Sequence, residues 1–224
     1  MDKCMPALTW SYSSVKQFQN CPKQYYHTRV LKDVKSGETA ATIYGTEVHK
    51  AAEEFIKDGT PIPPQFSYVQ PYLDRLNAIP GEKHCELKFG LTADLKPCDF
   101  FAPDVWLRGV ADLVVVNGDK AFSIDYKTGK SARYADTKQL DVVAGALFAM
   151  FPEVETIKSG LLFVVSKDFI TKEHKREESK KYLEQFNLDL ERIAVATDTG
   201  VWNAKASPLC RFCPVLDCAH NPTR

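Results

Sequence analysis

The stretch Gly109-Val110-Ala111-Asp112-Leu113-Val114-Val115-Val116-Asn117-Gly118-Asp119-Lys120-Ala121-Phe122-Ser123-Ile124-Asp125-Tyr126-Lys127-Thr128-Gly129 decides the fold. Two runs rich in β-branched and aromatic residues flank Asn117-Gly118, a strong hairpin signal. The pattern predicts antiparallel strands over 105–116 and 120–127. Each run carries one Asp where an apolar series would otherwise continue. Asp112 and Asp125 stand at similar distances from the turn, so the hairpin brings them together. Asp125 and Lys127 are two apart and share a face, while Tyr126 points away.

Two such carboxylates repel unless a cation sits between them. Magnesium prefers oxygen ligands and keeps several waters. A water on such an ion, with Lys127 beside it, is placed for in-line attack on phosphorus. Lys127 also suits the charge that develops on the phosphate. That is the chemistry of phosphodiester hydrolysis.

Outward from the hairpin, a first strand is expected over 83–91 and an apolar strand over 157–166, with a helix rich in Ala, Leu and Val over 136–150 between the last two strands. Upstream, helices are expected over 11–30, 42–57 and 66–77, and downstream a highly charged helix over 172–196. Helix, three strands, helix, strand makes an α/β domain: a mixed sheet flanked by helices, with a right-handed crossover.

The chain has 224 residues and no net charge, with 29 Lys and Arg against 29 Asp and Glu. Whole-molecule charge therefore does not advertise nucleic-acid binding. Residues 120–138, around the acidic pair, do carry five basic residues against two acidic ones. Length and composition fit a single soluble domain, and no stretch is apolar enough to span a membrane. The N-terminus lacks the basic-then-apolar pattern of a signal peptide. The expected location is the cytoplasm, of a prokaryote or of an infected host cell. No phosphate-binding loop of the Walker type is present, so the chain supplies no ATP-driven unwinding of its own.

With these residues in view, the chain resembles the PD-(D/E)XK nuclease superfamily, in its RecB-like exonuclease branch. Gly109-Val110-Ala111-Asp112 is similar to that branch's G-x-x-D strand, and Asp125-Tyr126-Lys127-Thr128-Gly129 to its D-x-K-T-G strand and turn. The resemblance implies a restriction-endonuclease-like fold, with Asp112 and Asp125 on the catalytic metal and Lys127 beside the attacking water. Gly45-Thr46-Glu47-Val48-His49 resembles the branch's G-x-x-x-H helix, which implies that His49 ligates the metal. An imidazole ligand suits manganese as well as magnesium. Glu86, on the first strand, matches a position that supports the active site in the family. Gln139 matches the first residue of a Q-x-x-x-Y helix near the metal and DNA, whereas Val143 departs from its Tyr.

The chain has seven cysteines, an odd count that suits thiols or metal ligands better than disulfides. Cys210-x2-Cys213-x4-Cys218 is dense enough for three ligands and needs a fourth. Iron–sulfur members of the RecB-like branch, such as the AddB nuclease domain and the CRISPR-associated exonucleases, carry that fourth Cys before the His helix. Cys21-Pro22, preceded by Ser11 and Ser13, matches it. The resemblance implies a 4Fe–4S cluster on Cys21, Cys210, Cys213 and Cys218, tying segments 11–35 and 205–220 to a core of about 42–196 in one nuclease domain, 1–224. Structural zinc is the rival. Cys4, Cys85 and Cys98 read as ordinary thiols, and His220 as a substitute ligand of little weight.

The function expected is a divalent-metal-dependent DNA nuclease, an exonuclease on single strands or ends, in recombination, repair, or phage- or CRISPR-related DNA processing. A helicase, a recombinase or a CRISPR adaptation protein is the partner class the resemblance implies, with an oligomer possible. The competing reading is a non-catalytic nuclease-fold module that binds DNA.

Overall fold

A computed structural model describes residues 8–35 and 37–222. Cys4 lies outside these. The chain divides into two compact units, residues 39–184 and a second formed by the segments before and after them. No helix among the described residues is long and apolar enough to cross a membrane.

The terminal unit begins with α1 (Tyr12–Asn20), capped by reciprocal hydrogen bonds between Ser11 and Ser14. The single helix expected over 11–30 is broken at Cys21, whose backbone is extended at φ −164°. Pro22 is the reason, because a proline ring disfavours helical backbone in the residue before it. A short α2 (Pro22–Tyr25) and a π-helical turn, Tyr26–Leu31, follow. Trp202 stacks on Tyr25 and Tyr26, and Trp10 packs on Phe186.

The central unit opens with α3 (Ala40–Asp58). Thr39 and Thr42 form its capping box, and Gly59, at φ +71°, ends it in the left-handed conformation. A 3-10 turn, Pro64–Val69, leads to α4 (Gln70–Asn77). Five strands then form one sheet in sequence order: β1 (Glu82–Leu91), β2 (Leu107–Asn117), β3 (Lys120–Lys127), β4 (Thr156–Phe163) and β5 (Asp168–Lys175). Only β3 and β4 are parallel, and α5 (Lys138–Met150) makes the crossover between them. The other pairs are antiparallel. The β2–β3 turn is Gly118-Asp119, closed by the Asn117–Lys120 pair, with Gly118 at φ +60°.

Both faces of the sheet are covered. Val48, Ala52 and Ile56 of α3 and Leu73 of α4 pack with Leu113, Val115, Ile124, Tyr126 and Leu162 on one face. On the other, Leu140 of α5 packs with Leu161 and Phe163. Strand alternation therefore directs Asp112, Asp125 and Lys127 to the α5 face.

The charged helix expected over 172–196 is a correction. Residues 168–175 form the edge strand β5, followed by α6 (Ser179–Glu184) and α7 (Asn187–Thr199), which opens the return of the terminal unit. Charges at Asp168, Lys172, Glu173 and Lys175 imitate a solvated helix. On an edge strand such charges discourage pairing with another chain. One inward residue, His174, is buried, and its Nε2 lies 2.9 Å from Asp141 of α5. Lys172 Nζ lies 2.6 Å from the same carboxylate, so the buried acid is paired.

Gly109 has a packing reason for being glycine. A Cβ there would collide with the ring of Phe89, which is itself buried. Gly109→Ala should destabilise the fold by about 1–3 kcal/mol through overpacking, a loss measured as a lower urea midpoint at unchanged slope.

Candidate active site

The site forms where β2 and β3 part. Their register pairs Leu113 with Ile124, and the next positions toward the open end are Asp112 and Asp125. Beyond that rung, site side chains replace the missing ladder partners. The Tyr126 N–H donates to Asp112 Oδ2 at 2.7 Å. The Tyr126 carbonyl accepts from His49 Nε2 at 2.9 Å. A carbonyl only accepts, so Nε2 carries the proton. In the neutral imidazole Nδ1 is then the free lone pair, and it lies 3.4 Å from Asp112 Oδ2.

Helix α3 can deliver His49 to this point because it approaches the turn after β3 closely. A Cβ on Gly45 would already touch Thr128 Oγ1 at 3.3 Å. Glu86 enters from β1, opposite Asp112 in the strand register. Its backbone is left-handed, at φ +48°, and such strain in a non-glycine residue gathers at functional sites. One ligand atom each from His49, Glu86 and Asp112 lies within 4.8 Å of the others. An imidazole and two carboxylates at that spacing fit a divalent ion such as magnesium or manganese.

Asp125 stands beside this group, held by the first turn of α5. Gln139 Nε2 donates to Asp125 Oδ1, and Lys127 Nζ donates to Gln139 Oε1 at 3.1 Å. Each end of the amide meets the partner its chemistry requires. Lys127 Nζ is also 2.6 Å from Asp125 Oδ2 as an ion pair. Both oxygens of Asp125 are thus engaged from within the chain, Oδ1 by Gln139 and Oδ2 by the Lys127 ammonium.

Burial and the mutual repulsion of the carboxylates govern the electrostatics of the site. Burial, and then the charge of Asp112, push the Asp125 carboxyl up to about 6, against the pull of Lys127 and His49. Burial and Asp112 likewise raise Glu86. Burial alone would lower the His49 pKa, but the hydrogen bond and charge of Asp112 and the charge of Asp125 outweigh it and raise the value.

Six of the residues singled out from the sequence thus come together: His49, Glu86, Asp112, Asp125, Lys127 and Gln139. Val143, where the resembling helix has Tyr, is buried in α5. A groove of about 680 Å³ adds residues that sequence reasoning missed. Thr42, Thr46, Lys50, Glu53 and Thr128 line it with Gly45, His49 and Glu86. The signal was present, since Thr42, Thr46, His49 and Glu53 recur at three- and four-residue steps on one face of α3.

Cys21, Cys210, Cys213 and Cys218 fall in the terminal unit. Burial raises the Cys213 thiol, the Val215 backbone pulls it down, and the neighbouring Cys21, Cys210 and Cys218 push it up. Among the described residues, no three of these sulfurs lie within 4.8 Å of one another. The 4Fe–4S cluster expected on these four cysteines, and the zinc that rivalled it, are therefore a correction: the thiols are not arranged as a cluster or closed metal site. A zinc tetrahedron with bonds of about 2.3 Å needs sulfurs roughly 3.8 Å apart.

The sequence model of the PD-(D/E)XK nuclease superfamily matches residues 9–78 and 66–218. The chain belongs to this superfamily. PD-(D/E)XK nucleases use divalent metals, which agrees with the donor set found here. A crystal structure of a "Putative exonuclease" from Eubacterium rectale superposes with a TM-score of 0.56 at 11% identity, covering 95% of this chain and 86% of that one. That likeness supports the nuclease fold. The structure of SSO0001 aligns at a TM-score of 0.48 and 13% identity, over 95% of this chain and 87% of its own. No curated protein matches the sequence.

Folded protein binds the Asp125 proton more tightly than unfolded protein, since about 6 lies above the ordinary 3.8. Stability of the metal-free protein should therefore rise as pH falls through about 6 toward 4, other groups aside. Asp125→Asn should melt higher than wild type at neutral pH without metal, the gap closing toward pH ~4. Thermal melts in chelator across pH test this.

Proposed function

We propose that the protein is a divalent-metal-dependent DNA nuclease, acting as an exonuclease on single strands or ends. The observation that carries the reading is the convergence of His49, Glu86 and Asp112 beside the Asp125–Lys127–Gln139 group. In this reading His49, Asp112 and Asp125 would hold the ion, with Glu86 beside them, and when bound it would supply polarisation of the phosphodiester and a lowered pKa of water. The rest is the work of the chain. Gln139 keeps the Lys127 ammonium over the open end of β3, next to Asp125. From there Lys127 orients the attacking water and meets the negative charge that grows on the phosphoryl oxygens. Water adds to phosphorus as the bond to the leaving oxygen breaks, giving a phosphate monoester and an alcohol. The small and hydroxyl side chains of Ala41, Gly45, Thr42, Thr46 and Thr128 let a DNA backbone approach closely.

The test is cleavage of end-labelled single- and double-stranded DNA with magnesium or manganese. Cleavage should stop in EDTA and in Asp112→Asn, which keeps an acceptor for the Tyr126 N–H. Lys127→Ala should reduce the rate about 10²- to 10³-fold, the scale for loss of one charge-stabilising donor. Wild-type rates in these variants would reject the assignment. The pattern of labelled products separates end-directed trimming from internal cuts.

A further inference from the structure

We propose that Phe100, Phe101, Arg108 and Lys88 form a stacking platform that grips single-stranded substrate beside the active site. This rests on the nuclease reading and extends it. Arg108, Val110 and Asp112 alternate along β2 and share its α5 face. At about 3.3 Å per residue, Arg108 lies roughly 13 Å along the strand from Asp112. That is about four stacked nucleotides at 3.4 Å each. Val110, between them, is 39% exposed, so the track is open.

The far end of this track combines rings and charge. The Arg108 guanidinium carbon lies 5.2 Å from the Phe100 ring centre and 5.7 Å from that of Phe101. Lys88 Nζ lies 6.0 Å from the Phe100 centre. The rings meet edge to face, at 4.9 Å and 80°. Phe101 is 78% exposed, an unusual placement for phenylalanine.

The loop carrying the rings is held firmly. Cys98 N–H donates to the Gly90 carbonyl at 2.9 Å, and Trp106 N–H to that of Leu91 at 2.8 Å. A Cβ on Gly90 would meet the Cys98 and Asp99 carbonyls at 2.8 and 2.9 Å, so the loop lies flat on β1.

The chemistry selects the occupant. An exposed ring stacks on a base face, which a duplex hides and a single strand offers. The cations between the rings and the track suit the phosphates that join those bases. Asp94, Asp99 and Asp104 are also in the loop, so the platform depends on Arg108 and Lys88 rather than on a general positive field.

Anisotropy of a labelled oligothymidylate in EDTA tests the platform apart from cleavage. Phe101→Ala should weaken binding about tenfold, the scale of one lost base–aromatic stack, and leave the salt dependence unchanged. Arg108→Gln should weaken binding and flatten the log–log salt slope by about 0.7. Both variants should hydrolyse the p-nitrophenyl ester of thymidine monophosphate, which reaches only the active site, at the wild-type rate. Single-strand binding unchanged in both Phe101→Ala and Phe100→Ala would overturn the platform, as would an equal loss on duplex DNA. If Lys127→Ala slows cleavage as expected while the Phe variants bind like wild type, the nuclease reading stands and the platform alone falls. A wild-type protein that neither binds nor cuts DNA would overturn both.

Discussion

The constraint on which the molecule turns is the crowding of negative charge at the open end of β2 and β3. Asp112 and Asp125 are brought to adjoining rungs by a two-residue turn, and Glu86 reaches the same place from β1. Folding energy must hold these groups together against their repulsion and against the loss of water. The elevated pKa values of Asp125 and Glu86 record that cost. Cores on both sides of the sheet supply the opposing stability, with Leu113, Val115, Ile124 and Tyr126 packed on one face and α5 on the other. The site is a destabilised spot on a rigid support, a common arrangement where function requires unfavourable electrostatics.

The topology explains how three elements can meet there. The parallel step from β3 to β4 requires a crossover, and α5 is that crossover. Its first turn therefore lies just past the end of β3, where Gln139 meets both Lys127 and Asp125. Two residues later, Asp141 is tied to Lys172 and His174 on β5. The same helical turn is thus clamped from two sides. Helix α3 contributes from the opposite face of the sheet, and His49 reaches past its end to the carbonyl of Tyr126.

Much of this was legible in the sequence. The hairpin signal at Asn117-Gly118 and the interrupting acids in two apolar runs located the pair and its lysine, because strand alternation is a rigid rule. The resemblance to a nuclease branch supplied His49, Glu86 and Gln139, which no local pattern would have selected. What escaped was the edge strand β5, whose charges serve the solvent side of a sheet and look like a helix when read alone. Cys21 illustrates another limit, since reading 11–30 as one helix ignored what Pro22 does to the residue before it. The loop that presents Phe100 and Phe101 has no periodicity, and its value lies in backbone bonds to Gly90 and Leu91 that only coordinates reveal.

Asp112 has a double life in this architecture. Its Oδ2 takes the amide proton of Tyr126, a residue 3% exposed, and so serves as a rung of the sheet as well as a ligand oxygen. Asparagine keeps an acceptor there and glutamate brings a longer one, but alanine leaves a buried amide with nothing to bind. A descendant that abandoned catalysis would therefore be free to discard Lys127 long before it could discard the side chain at position 112. Drift at this locus is policed by folding even after selection for chemistry has ceased.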